Sequence, residues 1–383
     1  MKKGLSVTSM AAAAAALGIV LGGCASASKN EIVVGAVISV TGKYVSGEAG
    51  ILNGAKMAIE EVNAAGGVNG KKLSLIVEDS GSEQAGSVNA YNRLVSKKPL
   101  FVVDSAVSSF VLAQMSDIAK AEIPTYAMGE NPKVTGQGNP WVLRFGTPDN
   151  VTPIAAVQLA LDDLKATKVA IVRLNNDFGK TWEDAIVAEL AKRNLAPATL
   201  QVFGADDKDM TAQLNKVKAS ASDVMIVVAD PPTHAVMLMQ RKQLGLGDVP
   251  YIGSNTAVQP QTLDLLKGGE AEGIYSLTSS VPPEDPDADV RAWNEKYKGI
   301  YKVDADYLAA NAYDAVKITV EAIKAVGPDK AKVKDWILAN VKGTKGMGNY
   351  WNFSANGDGG TQISIAQVKD GKAPIIKTFA AKL

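Results

Sequence analysis

Short apolar runs alternate along this chain with longer segments whose apolar residues recur every three or four positions. The run Ile32-Val33-Val34-Gly35-Ala36-Val37-Ile38 is almost wholly apolar, as expected of a strand buried on both faces of a parallel sheet. Ile51, Ala55, Met57, Ala58 and Val62 then share one side of a helix, and Ala65-Gly66-Gly67 ends it, because glycine accepts the left-handed backbone of a C-cap. Leu73-Ser74-Leu75-Ile76-Val77 predicts a second strand and residues 88–95 a second helix. Phe101-Val102-Val103 and Ile123-Pro124-Thr125-Tyr126 continue the alternation. The pattern restarts after Pro148. Ile154, Val157, Leu161 and Leu164 mark a helix face, Val169-Ala170-Ile171-Val172 a strand, Trp182, Ile186 and Leu190 a helix, and Val224-Met225-Ile226-Val227-Val228 a buried strand. Alternating β and α units imply parallel sheets with right-handed crossovers, and two such series imply two doubly wound α/β lobes. The last third is less regular. Asp287 is placed to cap a helix carrying Val290, Trp293 and Tyr297. Leu308, Ala312, Val316 and Val320 line another helix, and Val333, Trp336 and Ile337 a third. Strands are expected near Tyr350, Ile363 and Ile375, with a turn at Asn356-Gly357-Asp358-Gly359-Gly360.

The N-terminus adds a compartment to this picture. Met1-Lys2-Lys3 is basic, and an apolar run from Met10 to Leu21 follows. That run is shorter than the roughly 20 residues of a membrane-spanning helix and has the size of a secretory leader. It ends in Leu21-Gly22-Gly23-Cys24, which resembles the lipobox of bacterial lipoproteins. Residues 1–23 are therefore expected to be a cleaved signal, Cys24 the lipid-bearing residue, and 24–30 an anchor linker. The alternative is a soluble secreted protein with an incidental cysteine, but Cys24 is the single cysteine in 383 residues and stands at the cleavage point. With that thiol used, the mature domain has no disulfide and no cysteine-based metal site. The length suits about two domains. Charge is balanced, 40 basic residues against 40 acidic, and nothing forms the basic face or stripe that nucleic acid would demand.

Most chemical motifs are missing. There is one histidine, His234, so a histidine-pair metal site is impossible, and the residue reads as a surface or helix-start position. No Gly-x-Ser-x-Gly elbow occurs. Gly66-Gly67-Val68-Asn69-Gly70-Lys71-Lys72 lacks the spacing and the Ser/Thr of a phosphate loop and reads as a turn. Asp285, Asp287 and Asp289 have the early spacing of a calcium loop, but Val290 and Lys296 replace its glycine and closing glutamate. No cofactor or metal is implied. What remains is the crevice outside the carboxyl ends of the strands, where open parallel sheets bind ligands. Ser39-Val40-Thr41-Gly42-Lys43-Tyr44 follows the first strand there, and Ser105-Ala106-Val107-Ser108-Ser109 follows the third and runs into a helix. A helix N-terminus beside two serines suits a carboxylate, although serine is also a common cap.

Residues 53–73, NGAKMAIEEVNAAGGVNGKKL, closely resemble the periplasmic leucine/isoleucine/valine-binding proteins. Glu78-Asp79, Asn131-Pro132, Asp177-Phe178-Gly179 and Ile252-Gly253 match in the same order. The resemblance covers nearly all of the mature chain. It implies the type I periplasmic binding protein fold, α/β, in which two doubly wound lobes joined by a three-segment hinge close on a ligand. Crossovers near Gly146, Leu277 and Gly348 would then assign 31–146 and 278–347 to lobe 1, and 147–277 and 348–383 to lobe 2.

The resemblance carries the site over in part. It implies that Ser108, with Ser109, receives a carboxylate. The family's threonine before Asn-Pro is here Glu130, after Gly129; its tyrosine before glycine is Phe178; its amine-binding acid after Ile-Gly is Asn255. Its tyrosine after the strand at Ile226 is replaced by Asp230 or Pro231, and Tyr44 is the nearest aromatic in the first loop. The fold resemblance survives these changes, whereas branched-chain specificity does not follow from them. The expectation is a lipid-anchored, monomeric, non-enzymatic receptor outside the cell membrane, working with the permease and ATPase subunits of an ABC transporter. A sensor module of the same fold is the second reading and an exported enzyme a distant third.

Overall fold

The computed structural model describes residues 31–380, so the expected leader (1–23), Cys24 and the expected anchor linker (24–30) lie outside the described residues. The first lobe begins β1 (Glu31–Ile38), α1 (Val45–Ala64), β2 (Lys72–Asp79), α2 (Gln84–Val95) and β3 (Phe101–Asp104). It continues α3 (Ser108–Ala121), β4 (Thr125–Ala127), α4 (Lys133–Gly136) and β5 (Val142–Arg144). Its five strands are parallel in the order β2-β1-β3-β4-β5. All of β1 after Glu31 is buried, which is why its sequence shows no alternation. Gly66 and Gly67 take positive φ just past α1, as the cap requires.

The second lobe runs α5 (Thr152–Gln158), β6 (Val169–Leu174), α6 (Asp177–Ala191), β7 (Thr199–Phe203), α7 (Thr211–Ala219) and β8 (Val224–Val228). Then follow α8 (Pro231–Gln243), β9 (Tyr251–Gly253), α9 (Pro260–Leu263) and β10 (Tyr275–Thr278). The chain returns to the first lobe for α10 (Ala288–Tyr301), α11 (Tyr307–Val326), α12 (Lys330–Asn340) and the ribbon β11 (Lys342–Lys345) with β12 (Tyr350–Asn352). It ends in β13 (Gln362–Gln367) and β14 (Ile375–Ala380). The second sheet has the order β14-β13-β10-β9-β8-β6-β7, a parallel core extended by the antiparallel strands β13 and β14. The two-lobed fold expected from the sequence is present, and Asp287 does cap α10.

Two boundaries differ from the sequence reading. Thr278 is still in β10, hydrogen-bonded into the second sheet. Trp351 and Phe353 lie in the first lobe's core beside Phe145, and the Trp351 indole donates to Asp314 of α11 (2.8 Å). The last crossover therefore falls at 359–362 rather than near Gly348. An aromatic strand pattern says nothing about which of two cores receives it.

Asn349 ties the three crossing segments together. Its side chain donates to Thr147 Oγ1 (3.1 Å) and accepts from the amides of Thr361 (3.0 Å) and Gln362 (2.8 Å). The Gln362 side chain in turn donates to the carbonyl of Ser279 (2.8 Å).

Candidate functional site

In each sheet the strand order reverses beside the first strand of the lobe, at β1/β3 and at β6/β8. The loops leaving those strands at their carboxyl ends face each other across a cavity of about 810 Å³ of atom-free space, part of it open to solvent. On the first lobe, Ser108 opens α3 and receives the Asn131 amide on its Oγ (3.2 Å), with Ser109 next to it on the wall. A Cβ on Gly129 would stand 2.8 Å from that Oγ. Gly129 is therefore behind the wall, allowing close approach to Ser108, and not a lining residue as expected. Tyr44 reaches the cavity from the start of α1, its ring edge-on to Phe110 at 5.8 Å.

The second lobe supplies Phe178 from the first turn of α6, packed edge-on against Trp182 at 6.0 Å. Asp230 lines the cavity too, but its carboxylate is occupied as the N-cap of α8, accepting from Thr233 N (2.9 Å). Asn255, after β9, donates from its amide to Glu130 of the other lobe. A side-chain contact thus crosses the cleft between two of the residues singled out in the sequence.

Glu130 is the electrostatic centre. Burial, then the charge of Asp149, push its carboxyl well above the usual range, against the pull of Arg144 and the Asn255 hydrogen bond. Burial pushes Asp149 up to about 7, although the Trp182 indole donates to it (2.6 Å) and Arg144 is near. The Arg144 guanidinium is engaged elsewhere, with Asp358 (2.7 Å), the Asn131 carbonyl (2.8 Å) and Thr135 (2.6 Å). Burial and the nearby carboxylates Glu130, Asp306 and Asp149 also raise the Tyr307 phenol well above its ordinary value. Two carboxyls share this buried site, and the Arg144 cation near them already serves another acid.

Residues 31–373 match the periplasmic binding protein family. The chain belongs to that family. Among relatives of this binding protein, an amino acid binding protein of Pseudomonas aeruginosa is 27% identical over 316 residues, covering 81% of this chain and 83% of the relative. A branched-chain amino acid transporter substrate binding protein of Streptococcus pneumoniae, solved with isoleucine, superposes with TM-score 0.82 at 23% identity, covering 92% of this chain and all (100%) of that one. A solute binding protein of Rhodopseudomonas palustris, solved with 3,4-dihydroxybenzoic acid, gives 0.83 at 19% identity over 93% and 99%.

The binding protein's cavity also has walls that sequence reasoning missed. Glu48 of α1 is buried and binds the loops after β1 and β3 together, accepting from the amides of Ser39 (2.6 Å) and Ala106 (2.8 Å) and from the Ser105 hydroxyl. Gln259 and Tyr307 of the wall went unnoticed as well, as did Asp149, which lies near Glu130 outside the lining. A connector position after Pro148 was a weak signal for Asp149; the other two have none short of the folded structure. His234 proves to be a core residue, its ring nitrogens against Tyr251 Oη (2.6 Å) and Ser254 Oγ (3.0 Å), and burial depresses its pKa to about 3.

Proposed function

We propose that this chain is the lipid-anchored substrate-binding component of an ABC transporter, taking a small carboxylate-bearing, amino-acid-like ligand between its lobes and handing it to the permease. The observation that carries the reading is the Glu130–Asn255 bond across a cavity whose first-lobe wall also holds the N-terminus of α3. The first-turn N–H groups of α3, with Ser108 and Ser109, suit a carboxylate. Glu130 supplies an acid beside the Asn255 position, carried on the other lobe, and it suits a ligand amine or other donor. A buried carboxylate without a cationic partner is costly, and a cationic ligand group relieves that cost. Tyr44, Phe178 and Leu308 give the ligand body an apolar and aromatic bed.

Moving the acid from one lobe to the other moves the preferred place of the amine. Leucine, isoleucine and valine are accordingly expected to be weak ligands, and polar or aromatic amino acids and aminated benzoates better ones. A thermal-shift screen of those compounds on the chain from residue 25 onward tests this. Ligand at 100 times its Kd adds about 2.7 kcal/mol of stability, a shift of several degrees. Calorimetry on the best compound follows; tight binding of leucine, isoleucine or valine would overturn the specificity. Cleavage before Cys24 and its acylation are tested by mass spectrometry of the native protein, where a mature form with an unmodified Cys24 thiol would defeat the anchor. One acyl chain gives only marginal membrane binding, so a diacylated residue is expected.

A further inference from the structure

Behind the main cavity lies a second one of about 1050 Å³ of atom-free space, between the loop after β9, the start of α11 and the second crossover. The two share three wall residues, Asn255, Gln259 and Tyr307. Gln259 is only 2% exposed, yet neither its amide nitrogen nor its amide oxygen has a partner. Its main chain already does the local structural work, the carbonyl accepting from Thr262 (2.9 Å) and Leu263 (3.1 Å) at the start of α9. Asn255 Oδ1, beside it on the shared wall, is also unpartnered. A buried amide with both ends free costs stability wherever it stands, and a leucine of similar volume would remove that cost. The retained amide is aimed at something outside the chain.

We propose that the second cavity is a ligand subsite and that Gln259 is its recognition residue. The group it takes carries a donor and an acceptor side by side, as a carboxamide does, since that pairs both ends of the Gln259 amide at once. The ligand is then long enough to place its carboxylate at Ser108 and its far amide beyond Tyr307. The inference rests on the carboxylate end assigned above.

Glutamine and its longer-chain homologues, each compared by calorimetry with the straight-chain amino acid of equal length, test the subsite. In the wild type the longer amide-bearing members should bind about tenfold tighter than their alkyl counterparts, the scale of one to two net neutral hydrogen bonds. Gln259→Leu should abolish that preference, the amide-bearing and alkyl members of each pair then binding alike. Equal binding within every pair in the wild type, or an amide preference that survives in Gln259→Leu, overturns the subsite while leaving the main cavity's role intact. The ligand-free protein gives an independent readout. Gln259→Leu should raise its melting temperature by about 2 °C, because an unpaired buried amide is removed. A fall would make Gln259 a structural residue and overturn the inference. If no member of the series binds, the carboxylate end fails, and this melting shift alone decides for or against Gln259.

Discussion

Glu130 and Asp149 hold their protons at pH values where ordinary carboxylates have lost them. The sign of the consequence follows from linkage. Between the pKa of an unfolded carboxylate, about 4, and the raised folded values, the folded protein binds more protons than the unfolded chain, so stability falls as pH rises. For Asp149 that window closes near pH 7. Ligand-free protein should therefore melt at a lower temperature at pH 7.5 than at pH 5 through these two groups. Because Asp104 and Asp314 are also raised by burial, the informative quantity is the difference. Glu130→Gln and Asp149→Asn should each flatten the profile relative to wild type; parallel profiles would show that neither group holds a proton in the empty cleft. Glu130→Gln should also cost an aminated ligand roughly 2–5 kcal/mol, the range for truncating one member of a buried charge pair. Of the residues named from sequence, Ser108, Ser109, Tyr44, Phe178, Glu130, Asp230 and Asn255 all reach the cavity. They were legible because each follows a strand carboxyl end or matches a family motif. Glu48, Asp149, Gln259 and Tyr307 were not, since a lone acid in a helix or an amide in a loop has no local mark of the distant side chains it will meet.

The helix α1 owes its place to closeness as much as to its apolar face. A Cβ on Gly54 would stand 2.0 Å from the carbonyl oxygen of Ala309 in α11, so the two helices touch where α1 has no side chain. Gly54→Ala forces them apart and should cost about 1–3 kcal/mol, the usual range for overpacking. Because Asp306 caps α11 and Tyr307 and Leu308 of its first turn line the cavity, the same shift should weaken ligand binding. Urea unfolding and calorimetry on one variant check both effects; a loss of stability with unchanged affinity would uncouple the helix pair from the site. Strongly periodic elements such as α1 and α11, and fully buried runs such as β1, β6 and β8, were readable because burial writes itself into every position. Strand β7 was missed: its alternate residues are exposed at the sheet edge, so no apolar run betrays it. Strands β5 and β9, three residues each, are too short to establish a period.

At the scale of the molecule, the two lobes could be read from the repeated β/α alternation, whereas the return of residues 349–358 to the first lobe could not, being decided by the packing of Trp351 and Phe353 against Phe145. Closure is likewise a property of the whole chain. Among the described residues, four side-chain hydrogen bonds cross the cleft: Asn255 to Glu130, Gln261 to Asp306 (2.9 Å), Asn131 to Thr181 (2.9 Å) and Asn131 to the Asp177 carbonyl (3.4 Å). The third lies outside the main cavity, so it separates closure from ligand contact. Thr181→Val keeps the side-chain volume and removes the acceptor. In an open form Thr181 would be hydrated, so the variant should leave ligand-free stability nearly unchanged. In the closed form it leaves the Asn131 amide only its longer bond to the Asp177 carbonyl (3.4 Å). A neutral hydrogen bond contributes about 0.5–1.5 kcal/mol, and a ligand that needs the closed state inherits that loss through the population of closed protein. Affinity for any ligand should therefore fall about 2- to 12-fold in Thr181→Val, by the same factor for every compound tested. Small-angle scattering at subsaturating ligand should show a smaller compacted fraction than in the wild type. A ligand-dependent loss would mean that Thr181 acts on the pocket, and no loss at all would mean that the Asn131–Thr181 bond contributes nothing to holding the lobes together.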